Sequence, residues 1–307
     1  MANRIKEKYM AGKRYFDYPM LFLVIFLICF GLVMIYSTSS YKSTVTYGNS
    51  YHWLLRQAVA IVLGAVAMVV CCKLDYHIMK SEKFGNGCYW ASIVLLVLVL
   101  IIGAAKKGAV RWISIAGFQF QPSEVSKILV VIYLANRLSA NAHKIRTFKD
   151  SIVIVLPTVP IIALIVTQNL STALVVCSMI GVMLFVVSPK MKELMLTAGG
   201  GIILLFVYLL TANSYRNERV QIWLHPESHK KGFQTMQALY AIGSGGIFGK
   251  GLGQSMQKMG FIPESHNDMI FSIICEELGL FGAVCLILVF VALIFRMLLI
   301  ALNTEDL

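Results

Sequence analysis

The chain has 307 residues, 58% of them apolar and only 14% charged, with a mean hydropathy of +0.75. A soluble domain runs nearer half apolar and about a quarter charged, so a water-soluble globule is excluded and the bilayer must act as solvent. The net charge of +12, from 27 Lys and Arg against 15 Asp and Glu, would suggest nucleic acid in a soluble protein. In a membrane protein, basic residues gather instead in cytoplasmic loops, so no nucleic-acid partner is expected.

A helix needs about 20 mostly apolar residues to cross the hydrocarbon core. The first such run, 18–38, follows a basic start (Arg4, Lys6, Lys8, Lys13, Arg14) and is long enough to remain as an anchor rather than a cleaved signal. Further runs lie at 53–72, 88–105, 122–139, 152–168, 171–188, 194–212 and 268–301, eight in all, the last interrupted by Glu276, Glu277 and Gly279. With the N-terminus inside, 15 Lys and Arg fall on inner segments and 10 on outer loops, a moderate bias for N-in and C-in. The expected fold is therefore all-α: one polytopic transmembrane helical bundle over 1–307, with a large outer loop, 213–267, before span eight. The seven cysteines mostly sit inside apolar runs (Cys29, Cys71, Cys72, Cys177, Cys285) without CxxC spacing, and read as packing or lipid-facing residues rather than disulfides or metal ligands.

Ionisable groups at membrane depth are costly and so are candidates for function. Glu124 lies three residues before Lys127, on one helical face where the two can pair, and an ion pair is the simpler reading. Asp268 follows Pro263-Glu264-Ser265-His266-Asn267 and precedes Met269-Ile270-Phe271, where the outer loop enters span eight. A carboxylate there suits a helix cap and equally a general base, its pKa set by desolvation against nearby cations. Upstream, Gly243 to Gly253 holds six glycines with Lys250. It has neither the spacing of a dinucleotide fingerprint nor the Ser or Thr of a P-loop after the lysine. It is either a backbone that approaches a ligand closely or a re-entrant turn.

The ordered blocks Gln237-Ala238-Leu239-Tyr240-Ala241-Ile242-Gly243-Ser244-Gly245-Gly246, Gly251-Leu252-Gly253-Gln254-Ser255, Pro263 to Asp268, and Glu276-Glu277-Leu278-Gly279 closely resemble the SEDS proteins (shape, elongation, division and sporulation). So do Arg56-Gln57, Arg111-Trp112, Phe118 to Glu124 with Lys127, and Tyr215-Arg216 with Arg219. The short stretch between Gly253 and Pro263 is similar to the FtsW and SpoVE branch, of which a division-type FtsW fits best.

This resemblance implies a peptidoglycan glycosyltransferase that polymerises lipid II on the outer face of the bacterial cytoplasmic membrane, with Asp268 matching the family's catalytic aspartate. It implies that Arg111, Lys127, Arg216, Arg219 and Lys258 hold the diphosphate, directly or through a divalent cation (Mg or Mn), the one cofactor expected. Trp112, Gln121, Ser123, Glu124, Gln237, Ser244, Gly245, Ser255, Glu264 and His266 are the further substrate-binding residues it implies. The expected partners are lipid II and undecaprenyl-diphosphate-linked glycan, a class B penicillin-binding transpeptidase, and other divisome proteins. A lipid II flippase or a non-catalytic division scaffold are the alternatives; both predict that the loss of Asp268 is tolerated.

Three features depart from the family pattern. Asn267 stands where the family has Thr, and Gln168-Asn169 where it commonly has an acid. The family carries ten spans and eight are counted here, so the last two helices are expected to be missing from this chain or their role taken by a partner.

Overall fold

The computed structural model describes residues 16–106, 109–115, 118–142, 145, 148–187, 221–229 and 232–304. The chain divides into two units, Lys73–Ala212 and the remainder, Met1–Cys72 with Asn213–Leu307.

In the divided unit, α1 (Tyr18–Tyr47) starts where Asp17 accepts the Met20 amide at 2.8 Å, with Pro19 in the first turn, where its missing N–H costs nothing. It ends at Gly48, whose left-handed backbone (φ 68°) carries its N–H back to the Thr44 carbonyl. Next comes α2 (His52–Lys73), which has no buried residue along its length and is long and apolar enough to cross a membrane. Later in the chain come a 3-10 turn at Pro226–Ser228, α8 (Phe233–Gly245) and α9 (Ile270–Leu302). Met34 of α1 packs on Ile274 and Leu286 of α9, while Ala241 of α8 packs on Ile262 and Ile273.

The ends of α1 and α9 show their antiparallel arrangement. Arg296 Nη2 reaches Asp17 Oδ2 at 2.5 Å, while Ser37, further along α1, meets Glu277 near the start of α9. Asp17 thus caps one helix and pairs with the other. Asp17→Ala should cost about 1–3 kcal/mol, combining a lost cap with a lost charge-assisted bond, and more than Arg296→Met, which leaves the cap in place. Thermal melts of the two variants in detergent give the order; equal losses would mean that the cap contributes nothing.

In the other unit, α3 (Glu82–Ile102) leads into a three-stranded antiparallel sheet, β1 (Ala104–Lys106), β2 (Ala109–Ile115) and β3 (Phe118–Phe120), with Ala104 opposite Trp112 and Ile113 opposite Phe120. This small sheet is an addition to the expected all-helical bundle and occupies the segment read from sequence as a loop. Helix α4 (Pro122–Asn141) follows, then α5 (Phe148–Val155), a 3-10 turn at Leu156–Thr158, α6 (Val159–Gln168) and α7 (Leu170–Val187). Pro157 and Pro160 supply no N–H, which accounts for the turn that divides α5 from α6. The core of this unit is Leu96 of α3, Val130, Leu134 and Leu138 at four-residue intervals along α4, Ile161 and Ile165 of α6, and Val176, Ile180 and Leu184 of α7. Close approach of α3 and α4 is set by Gly85, where an added Cβ would lie 3.1 Å from Asn136.

Among the described residues, six helical segments are long and apolar enough to cross a membrane: Tyr18–Tyr47, His52–Lys73, Glu82–Ile102, Lys149–Gln168, Leu170–Val187 and Ile270–Leu302. These match the expected spans one, two, three, five, six and eight. The fourth expected span is the helix α4, but Ser123, Glu124, Ser126, Lys127, Asn136, Arg137 and Ser139 make it too polar to count by composition. The expected seventh, 194–212, lies outside the described residues.

Candidate active site

The site is organised around a break in α9. Gly279 has φ 67° and ψ −170°, a conformation essentially confined to glycine. The break removes the helical bonds from the Leu280 and Phe281 amides to the Glu276 and Glu277 carbonyls. All four groups find partners in the glycine-rich segment instead. The Glu276 and Glu277 carbonyls accept from the amides of Lys250 and Gly251, each at 2.9 Å, and the Leu280 and Phe281 amides donate to the carbonyls of Gly246 and Ile247 at 2.9 and 3.0 Å. Irregular backbone at membrane depth requires this complete exchange, because hydrocarbon offers no partner. The approach leaves no room for side chains: an added Cβ at Gly245 would sit 2.0 Å from the Cys275 carbonyl oxygen, and one at Gly249 would sit 2.2 Å from that of Glu277.

The same interlock holds two adjacent, fully buried carboxylates. Glu276 accepts from Ser255 Oγ at 2.5 Å, Lys250 Nζ at 2.7 Å, the Met256 and Gln257 amides at 3.2 and 3.4 Å, and Ser244 Oγ at 3.4 Å. Glu277 accepts from Ser37 Oγ at 2.7 Å and from Lys258 Nζ at 2.8 Å. Each acid has its own lysine, which removes the repulsion that two neighbouring carboxylates would otherwise suffer. Lys258 and Ser37 also line a cavity of about 600 Å³ with Tyr36, Ser40, Leu252 and Met259.

Asp268 differs from both. It is exposed, and among the described residues its carboxylate has no hydrogen-bond or ion-pair partner. It does not cap α9: Met269 holds the cap position, and no side chain makes the capping bond. The approach to Asp268 is shaped by Glu264, a non-glycine residue at φ 58° whose carbonyl accepts the Asn267 amide at 3.0 Å, and by Ser265, whose buried hydroxyl donates to the Thr38 carbonyl of α1 at 3.2 Å. His266 lies against Trp53 with ring centroids 4.7 Å apart, and the His266 Nδ1 and Trp53 Nε1 atoms are buried without partners among the described residues. Burial and the Lys42 ammonium push the His266 pKa below its ordinary value, against the opposing pull of Glu264, so the ring is neutral at pH 7.

Of the other residues singled out from sequence, Gln237 is half-buried on α8 and lines a second cavity with Pro226, His229, Phe233 and Tyr240. Those in the second unit form their own local contacts. Gln121 Nε2 donates to the buried Ser123 hydroxyl at 3.0 Å, and Lys127 pairs with Glu124 at 2.8 Å on one face of α4. Trp112 lies half-buried in β2, where Arg111 precedes it in the strand. Arg216 and Arg219 lie outside the described residues. Sequence reading passed over Ser37 as a carboxylate partner and Lys250 as the counter-ion of Glu276. The available signal was the run Ser37-Thr38-Ser39-Ser40 inside an otherwise apolar span.

Comparison with known proteins places these features in context. The profile of the cell cycle protein family FtsW, RodA and SpoVE matches residues 18–307. A probable peptidoglycan glycosyltransferase FtsW of Geobacter metallireducens is 35% identical over 301 residues, covering 95% of this chain and 78% of the relative. Stage V sporulation protein E of Bacillus subtilis is 34% identical over 301 residues, covering 95% and 80%. Among solved structures, a chain studied for the coordination of polymerization and crosslinking by a peptidoglycan synthase complex superposes with a TM-score of 0.75 at 26% identity, covering 96% of this chain and 81% of that one. The rod shape determining protein RodA of Thermus thermophilus gives 0.64 at 25% identity, covering 96% and 78%.

Proposed function

The chain belongs to the FtsW, RodA and SpoVE family of cell cycle proteins, and we propose that it is a peptidoglycan glycosyltransferase that polymerises lipid II into glycan strands during cell division, on the outer face of the bacterial cytoplasmic membrane. The observation that carries the reading is the state of its acids. Glu276 and Glu277 are buried and fully engaged, whereas Asp268 is exposed and, among the described residues, unengaged, which suits it to take a proton from a bound substrate.

In the proposed reaction Asp268 accepts the proton of the acceptor sugar's 4-hydroxyl as that oxygen attacks the anomeric carbon of the donor. The C–O bond to the diphosphate breaks with inversion, and undecaprenyl diphosphate leaves with the bonding pair. Charge builds on the departing diphosphate, so fixed cations contribute most to the rate. Arg216 and Arg219, carried over from the family pattern, are assigned to that task. A divalent cation, Mg or Mn, would supply further charge stabilisation there. Among the described residues no group of three His, Cys, Asp or Glu side chains forms a metal cage, so from these residues such an ion would be carried mainly by the diphosphate, with one or two carboxylates such as Glu264 beside it. The proposed partner is a class B penicillin-binding transpeptidase, consistent with the synthase complex that supplies the structural relative, acting with other divisome proteins.

The test is direct. The purified chain, with its transpeptidase, is given lipid II and Mg or Mn, and the products are separated on a gel. A glycan ladder is expected, and EDTA is expected to reduce it by at least about tenfold, the loss that follows when about 1.4 kcal/mol of charge stabilisation is removed. Lipid II translocation without any ladder would favour the flippase reading instead.

A further inference from the structure

Resting on the proposed function, one feature of the site points to residues that act on Asp268 from a distance. The ammonium of Lys258 is 5% exposed and lies 2.8 Å from Glu277 and 3.1 Å from Ser37 Oγ, while the Ser37 hydroxyl itself lies 2.7 and 2.8 Å from the two Glu277 oxygens. These three groups form a closed, buried triangle contributed by α1, by the loop after α8, and by α9. The Lys258–Glu277 contact spans 19 residues of chain, and Asp268 lies close to the middle of that span.

Two further bonds tighten the same closed segment. The Lys258 amide donates to Ser255 Oγ at 3.3 Å, and Ser255 in turn donates to Glu276. At the next residue of α1, the Thr38 carbonyl accepts from Ser265, three residues before Asp268. The step Ser37-Thr38 therefore holds the loop at two places, on either side of the stretch that turns toward Asp268. Among the described residues the Asp268 side chain finds no bond that would fix it, so its position is inherited from these anchors.

We propose that Lys258, Glu277 and Ser37 are positioning residues that hold the Asp268 loop in register with α1 and α9, and that the Lys258 ammonium is consumed by this role rather than by substrate diphosphate. A buried ion pair serves this purpose better than it serves stability, because its geometry is specific while its desolvation cost offsets much of its attraction. A displacement of about 1 Å at a catalytic group is enough to lower a rate by about 100-fold.

The experiment combines glycan polymerisation kinetics with hydrogen exchange on the whole purified chain with its transpeptidase, using lipid II as substrate. Lys258→Met and Glu277→Gln are expected to lower kcat by about 100-fold, with KM for lipid II within about twofold of wild type. Deuterium uptake across 255–268 should rise in both, with α3 to α7 unchanged. Ser37→Ala, which keeps the ion pair and removes only its bridge, should show a milder loss of about tenfold. The exchanged pair Lys258→Glu with Glu277→Lys should recover at least part of the kcat lost in the single variants. A tenfold rise in KM with kcat unchanged would overturn the proposal in favour of substrate binding by Lys258. Unaltered exchange in the single variants, or an exchanged pair no better than either, would overturn it too. A wild type that makes no glycan would sink the proposed function, and the exchange measurement would then decide alone whether the triangle fixes the loop.

Discussion

Asp268→Asn is expected to lower the rate of glycan polymerisation by about 10²–10⁴-fold, the range contributed by a general base, with the yield and melting temperature of the protein nearly unchanged. The second half of that expectation comes from the structure. The Asp268 side chain is exposed, bonds to no described group, and does not cap α9, so its loss should shift stability by no more than about 0.5 kcal/mol. Asparagine keeps the shape and the polarity and removes only the capacity to take a proton. The measurement is a lipid II polymerisation time course beside a thermal melt of the same preparation. Full activity in a well-folded Asp268→Asn would remove the base assignment and leave the carboxylate of Glu264 and the neutral imidazole of His266 as the nearest proton acceptors in sequence.

Gly279→Ala should act in the opposite way, through folding. Its Cβ would lie 2.3 Å from the Gly249 amide nitrogen and 2.4 Å from the Ile247 carbonyl oxygen, and both are backbone atoms that cannot move aside without breaking the exchanged bonds. The backbone conformation alone costs a residue with Cβ about 1–3 kcal/mol, and the overlap adds about 1–3 kcal/mol more. The expected result is a melting temperature lowered by several degrees or more, with loss of monodisperse protein in detergent and increased proteolysis within 246–269. Gly243→Ala offers a contrast, because nothing lies within 4 Å of its added Cβ. Equal behaviour of the two variants would mean that the interlock at Gly279 is not what holds the loop.

Much of this architecture was legible in the sequence where the signal is local. Apolar runs of about 20 residues marked the spans, the three-residue offset of Glu124 and Lys127 marked their contact, and Glu276-Glu277-Leu278-Gly279 marked the interruption of the last helix. The features that could not be read are the ones without a local period. Ser37 and Glu277 are 240 residues apart, and Lys250 and Glu276 are 26 apart, so nothing in either neighbourhood names the partner. The short strands between Ala104 and Phe120 are too brief to show a two-residue alternation against an apolar background. Asp268 read as a plausible cap because it precedes an apolar run, yet α9 begins at Ile270, one residue too late for its carboxylate to serve.

The arrangement of charges around α9 also bears on how the protein is made. A helix that enters the bilayer carrying two adjacent carboxylates would face a large desolvation cost if it arrived alone. Lys250 and Lys258 precede Glu276 and Glu277 along the chain, and Ser37 precedes them all. At about 5–20 residues per second, the ribosome completes both counter-ions one to a few seconds before the acids emerge, so the nascent chain never has to present those carboxylates to lipid before their partners have been synthesised.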